Sequence, residues 1–285
     1  MKNYLLTIEY DGTYFVGWQR QCLPNANNRS VQETVEKALK KLLHQEITIH
    51  GAGRTDSGVH GLGQTASFTA ETTLPAENMA YALNGLLPSD VRILGCVEVP
   101  ADFHARYSAV GKNYQYYLMN KTQYSAFNRR YAYVCNYNLD FTLMQEAAKI
   151  FEGKHNLKSF TANGNPVASY EREIYYCRLD KIANDSQLPW QRSVDLWRLN
   201  IFGSGFLYKT VRLIMGGLIA VGRGKITIDD LRQALAEPGR IIAPPAPSHG
   251  LYMKEVFYSR ELLEQRINEE KTCLKQGKSI DIRKY

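Results

Sequence analysis

Residues Tyr4–Tyr10 alternate, with Leu6 and Ile8 on one face and Leu5 and Thr7 on the other, and so predict a β-strand. Asp11-Gly12 is a turn signal, and Asn25–Asn28 reads as a polar loop. Ser30 and Glu33 then have the spacing of a capping box. Behind them Val31, Val35, Ala38, Leu39, Leu42 and Leu43 recur at helical spacing, which predicts a core-packing helix. Ile47–His50 and Gln64–Ala70 predict two strands, Pro75 opens a helix through Leu87, and Val91–Val99 predicts another strand. Strand–helix–strand–strand–helix–strand is the split βαβ order of ferredoxin-like and RNA-recognition folds.

The second half follows a similar plan. Gly111–Asn120 reads as a tyrosine-rich strand, and Asp140 caps a helix through Phe151 that stops at Gly153. Arg172–Ile182 and Val194–Phe202 predict two more strands. Leu207, Val211, Ile214, Met215, Leu218 and Val221 mark a long amphipathic helix. Thr227 and Asp230 pair as a cap for a further helix that ends at Pro238-Gly239, and Leu251–Tyr258 reads as a closing strand. The expectation is an α+β protein with a mainly antiparallel sheet from two ferredoxin-like halves flanked by helices. Residues 1–106 and 107–258 form the halves, and 259–285 are a charged helix and tail.

A chain of 285 residues can bury the cores of one large or two medium domains. The net charge of +7 and pI near 9.0 favour a polyanionic partner. Nineteen tyrosines supply rings that either stack on bases or fill cores. Cys22, Cys96, Cys135, Cys177 and Cys273 are odd in number, widely spread and form no Cys-x-x-Cys pair. That pattern disfavours a disulfide framework or a zinc site and fits a reducing cytoplasm. The amino terminus has no apolar leader, and the longest apolar run, Leu213–Val221, is too short to span a bilayer. A soluble, cytoplasmic protein is expected.

The densest candidate chemistry lies in His50–Gln64, where glycines at 51, 53, 58, 61 and 63 surround Arg54 and Asp56. Such glycines let the backbone approach a ligand closely. Asp56 is then a candidate nucleophile or general base, although an Asp-Ser-Gly more commonly just caps a turn. The second carboxylate of a glycosidase and the Lys-Ser/Thr pair of a phosphate-binding loop are both missing from the segment. In extended geometry Arg54 and Asp56 project the same way.

Gly53-Arg54-Thr55-Asp56-Ser57-Gly58-Val59-His60 resembles the active-site motif of the TruA family of tRNA pseudouridine synthases. Tyr10 through Gln19 resembles that family's amino-terminal signature. Phe103-His104-Ala105-Arg106, Lys112 with Tyr114, Gly205-Phe206 through Arg212, and Pro244 through Leu251 match in order. The chain departs from the family pattern at His155-Asn156-Leu157 and Lys209-Thr210, neither of which touches Asp56, Tyr114 or Arg212.

The resemblance implies the pseudouridine synthase fold and an isomerase that uses no cofactor. Its implied partner is the anticodon stem-loop of tRNA, modified at positions 38, 39 and 40 by a homodimer. Asp56 becomes the nucleophile, able to attack C1′ of the ribose or C6 of the uracil. Tyr114 becomes the aromatic that stacks on the target uracil, and a candidate for proton transfer at C5. Arg212, one position off the apolar stripe of its helix, becomes the partner that keeps a desolvated carboxylate ionised. Arg54 is assigned to phosphate, or to the space left by a flipped uridine. Lys112, Arg106 and Arg20, with Arg129 and Arg130, are candidate phosphate contacts, and Trp18 with Gln19 edges the pocket.

Each assignment has a bland rival. Arg212 can snorkel to the surface, Tyr114 can be a core ring, and Arg54 can be a solvated loop residue. His60 and His104 read as structural hydrogen-bond partners. The rival functions are a non-catalytic RNA-binding protein of the same fold, a pseudouridine synthase for another structured RNA, and a nucleotide-binding enzyme. The last would want a helix start directly after the glycines, which Val59-His60-Gly61 does not supply.

Overall fold

In the computed structural model the alternating Tyr4–Tyr10 segment becomes the middle strand of an antiparallel sheet. The structure describes residues 1–21, 29–120, 126, 128–162, 167–182 and 195–275. Cys22, the Asn25–Asn28 loop, Val194 and the tail from 276 onward lie outside the described residues. By contacts the chain divides into two compact units. One is Met1–Val110 with Tyr252–Tyr258, and the other is Gly111–Leu251 with Ser259–Tyr285.

In the first unit β1 (Lys2–Tyr10) pairs antiparallel with β3 (His60–Ala70) on one side and β4 (Val91–Val99) on the other. The two-residue β2 (His50–Gly51) pairs antiparallel with β3 at Ser67 and Ala66. With α1 (Val31–Leu43) and α2 (Ala76–Asn84), the sheet order β4-β1-β3-β2 is that of the split βαβ plan. Tyr4, Leu6, Ile8, Val31, Val35, Leu39, Phe68, Met79 and Leu83 are buried in one shared core. The helical stripe read from the sequence is therefore the stripe that packs. Ser30 caps α1 by accepting the Glu33 N–H at 3.2 Å.

Of the boundaries that differ from the pattern, including the end of α2 at Asn84 rather than Leu87, two have a clear physical reason. Ile47 and Ile49 are buried in alternation, yet Ile47–His50 forms no strand before His50. The Ile49 N–H donates instead to the buried carboxylate of Glu36 at 3.1 Å, so it is not available to a strand ladder. β3 starts at His60 rather than Gln64 because its first residues pair with both neighbours. Gly61 faces Tyr10 of β1, and His60 and Gly61 pair in parallel with Tyr252 and Met253 of β10 (Leu251–Phe257).

In the second unit β5 (Gly111–Asn120), β9 (Leu196–Gly203), β8 (Glu171–Ile182) and β7 (Gly153–Asn156) form an antiparallel sheet in that order. The short β6 (Tyr133–Cys135) runs parallel to β5. With α3 (Phe141–Lys149), strand β9 sits between β5 and β8 as β3 sits between β1 and β2. α4 (Thr210–Gly222) is buried along nearly its whole length. It starts at Thr210, not Leu207, because Lys209 takes a left-handed φ of 63°. A complete capping box between Thr227 and Asp230 starts α5 (Ile228–Ala236). α6 (Arg260–Lys275) buries Leu263 and Ile267 and brings Glu270 to the fully buried Arg198 of β9. Among the described residues no helix is long and apolar enough to cross a membrane.

Candidate active site

The loop between β2 and β3 carries Arg54 and Asp56, and the segment after β1 fastens it. Trp18 N–H donates to Thr55 O at 3.0 Å, and Gly17 forms an isolated bridge with Asp56. Ser57 Oγ donates to Phe15 O at 3.1 Å, and Gly12 N–H donates to His60 Nδ1 at 3.1 Å. Tyr10 and Thr55 hydroxyls share a hydrogen bond of 2.9 Å, while Gln64 Nε2 donates to Gly53 O at 2.7 Å. The two most specific sequence motifs are thus one interlocked object.

Glycine is required at the closest approaches. At Gly12 a Cβ would lie 1.9 Å from Val59 O. Gly17 has φ +119°, and a Cβ there would lie 2.6 Å from Thr55 O. The turn itself is closed by main chain, with Val59 N–H donating to Asp56 O at 3.2 Å and Gly58 at φ +76°. Thr55 is buried between an exposed Arg54 and a half-buried Asp56. Burial pushes the Tyr10 phenol up to about 12, so Tyr10 is neutral and braces the loop at physiological pH.

The other first-unit candidates are peripheral to this loop. Arg20 is exposed, with Nη1 3.8 Å from the buried Glu36 carboxylate. Arg106 is exposed, and its N–H donates to His104 Nδ1 at 3.0 Å. His60 and His104 both serve as hydrogen-bond acceptors, as their sequence context suggests.

In the second unit Tyr114 is a buried β5 residue whose ring meets Phe206 edge-on, with centroids 5.1 Å apart. Lys112 is half-buried at the start of the same strand. Arg212, half-buried in the first turns of α4, donates from Nε to Ala246 O at 2.8 Å, and Ala246 N–H donates back to Arg212 O at 2.8 Å. Tyr116, on the same β5 face as Tyr114, donates its hydroxyl to Pro247 O at 2.9 Å. Burial drives the Tyr116 phenol well above its usual range, and the Arg212 guanidinium partly opposes that shift. Arg212 and Tyr114 therefore belong to the same side of that sheet.

Sequence reasoning missed the contacts by which the Pro244–Gly250 segment holds Arg212. Pro244–Gly250 lies close enough to α4 and β5 that a Cβ on Gly216 would meet Pro244 O at 2.0 Å, and one on Gly250 would meet the Tyr116 ring at 2.7 Å. The available signal was the small-residue and proline run itself. Arg129 and Arg130 fall in a one-turn helix at Asn128–Arg130, away from any of these elements in sequence.

A family model described as tRNA pseudouridine synthase matches residues 6–108 and 147–259. The chain is 40% identical over 259 residues to tRNA pseudouridine synthase A of Acetivibrio thermocellus, covering 90% of this chain and all of that one. It is 42% identical over 255 residues to tRNA pseudouridine synthase A of Bacillus pumilus, covering 88% of this chain and 97% of that one.

Proposed function

Since the chain belongs to the tRNA pseudouridine synthase family, whose enzymes are isomerases, we propose that it converts uridine to pseudouridine in tRNA with Asp56 as nucleophile. The target is the anticodon stem-loop, at positions 38, 39 and 40. The protein works as a cytoplasmic homodimer and needs no cofactor, because the product is an isomer of the substrate.

The observation that carries this reading is the interlock of Tyr10–Trp18 with the Asp56 loop. Main-chain and side-chain tethers from Tyr10, Gly12, Phe15, Gly17 and Trp18 hold the flanks of one carboxylate, which is more than a turn-capping Asp requires. The Asp56 carboxylate attacks C1′ or C6, and the bond between uracil N1 and C1′ breaks. The detached uracil turns, C5 bonds to C1′, the bond to Asp56 breaks and returns the free carboxylate, the C5 proton leaves, and N1 gains a proton. Tyr114 holds the base by stacking, and Arg212 supplies the positive charge that keeps a carboxylate ionised in a base-filled pocket. Arg54 fills the gap left by the flipped uridine or contacts phosphate, with Lys112, Arg106 and Arg20 as further phosphate contacts. Residues 1–106 carry the nucleophile, residues 107–258 supply Tyr114 and Arg212, and residues 259–285 add a charged helix and tail.

The test is to treat unmodified tRNA transcripts with the protein and map pseudouridine by sequencing. New pseudouridine at positions 38–40 is expected. None there, with modification at other sites, would reject the anticodon stem-loop; none anywhere would reject the reaction.

A further inference from the structure

A row of rings that begins at His50 of β2 has no part in the chemistry above. The His50 and His104 rings lie 5.3 Å apart at 35°, and those of His104 and Tyr107 lie 4.5 Å apart at 40°. The Arg106 guanidinium sits 5.5 Å from the Tyr107 ring centre. His50 and Arg106 are exposed, and Tyr107 keeps 76% of its surface in water. So much exposed aromatic surface beside a cation on a basic protein matches the chemistry of single-stranded RNA, whose bases stack on rings and whose phosphates seek guanidinium.

We propose that His50, His104, Tyr107 and Arg106 form a stacking platform for an unpaired RNA base near the target nucleotide. This rests on the reading of the protein as an RNA-modifying enzyme and adds a recognition surface to it. His50 precedes Asp56 by six residues, so at most about 20 Å of extended chain separates them. That bound keeps the platform within a few nucleotides of the one being modified.

The cluster is built to keep its shape. Ala105 N–H donates to Ser67 Oγ at 3.0 Å, and Ser67 is the β3 residue that pairs with His50. His104 N–H donates to Ser108 Oγ at 3.0 Å, and Ser108 N–H donates to His104 O at 2.9 Å. The turn is thus held by its own hydrogen bonds and does not depend on the Tyr107 ring for them. Burial, then His50 and Arg106, hold the His104 imidazole below its usual range, so the ring stays neutral at physiological pH.

The experiment measures the affinity of the full chain for an unmodified tRNA transcript, with thermal unfolding and tritium release from uracil C5 as companions. Tyr107→Ala is expected to weaken binding about 5- to 150-fold, the range to which loss of one stacked base converts. Tyr107→Phe, which keeps the ring, should bind within about twofold of wild type. Unfolding temperature should be unchanged in both. Wild-type affinity in Tyr107→Ala overturns the platform while leaving the proposed reaction intact. Failure of the wild-type protein to bind or modify tRNA overturns that reaction instead. If Tyr107→Ala unfolds early, Tyr107→Leu decides: weakened binding at normal stability supports the platform, and wild-type binding rejects it.

Discussion

Gly17→Ala should cripple the protein from a position outside the catalytic residues. Gly17 has φ +119°, which an L side chain rarely adopts, and its new methyl would lie 2.6 Å from Thr55 O. That same carbonyl accepts the Trp18 N–H at 3.0 Å, and Gly17 itself bridges Asp56. Holding alanine at such a φ costs about 1–3 kcal/mol. Loosening the Trp18 hydrogen bond adds about 0.5–1.5 kcal/mol. The sum, about 1.5–4.5 kcal/mol, should lower the unfolding temperature by roughly 3–18 °C in a chain of this size. The loop cannot relieve the clash without moving Thr55 and Asp56, and a 1 Å misplacement of a reacting group costs on the order of 100-fold in rate. Calorimetry and tritium release at a temperature where the variant is folded measure both effects. Gly95→Ala is the control, because nothing lies within 4 Å of its added methyl, and it should change stability by no more than about 0.5 kcal/mol. Wild-type stability and rate in Gly17→Ala would refute the claim that the amino-terminal signature sets the Asp56 loop.

Three further outcomes follow from particular contacts. Arg198 is 1% exposed and its Nη2 meets Glu270 Oε2 at 2.7 Å, so Glu270→Ala should destabilise by about 3–5 kcal/mol in urea unfolding; the paired change Arg198→Met with Glu270→Leu should lose much less. Burial lifts the phenols of Tyr10 and Tyr258 from 10.0 to about 12. The folded state therefore holds these protons more tightly, and stability present below pH 10 should fall as pH rises from 10 to 12. Unfolding midpoints across that range, alongside phenolate absorbance, check the sign, and a midpoint that rises would contradict it. The affinity for tRNA should fall with salt at a log–log slope of about −3, from roughly 0.7–0.9 per phosphate at Arg20, Arg54, Arg106 and Lys112; a flat response would remove those contacts.

What the sequence disclosed depended on whether the governing force was local. Val91–Val99 and Gly111–Asn120 are seen with the bounds their patterns predict, because alternation and flanking turns decide them. The caps at Ser30, Asp140 and Thr227 are also local and are seen where expected. The short strands Tyr133–Cys135 and Gly153–Asn156 carry no alternation to detect and exist through pairing with distant strands. The loss of strand at Ile47–Ile49 needed knowledge that Glu36, a residue of a different element, reaches the Ile49 N–H. At the site, the glycines announced a loop of unusual backbone around Asp56. That Phe15, Gly17 and Trp18 are its fasteners, and that Ala246 holds Arg212, are long-range facts that no spacing rule encodes.

The most direct measurement compares single-turnover tritium release from C5-labelled tRNA by the wild type and by Asp56→Asn, which keeps the size of the side chain and removes its charge. The wild type should release the label. Asp56→Asn should bind tRNA with wild-type affinity yet release label at least on the order of 10⁴-fold more slowly, as expected for loss of a covalent nucleophile. Release by Asp56→Asn within about tenfold of wild type would contradict the assignment of the reaction to this carboxylate.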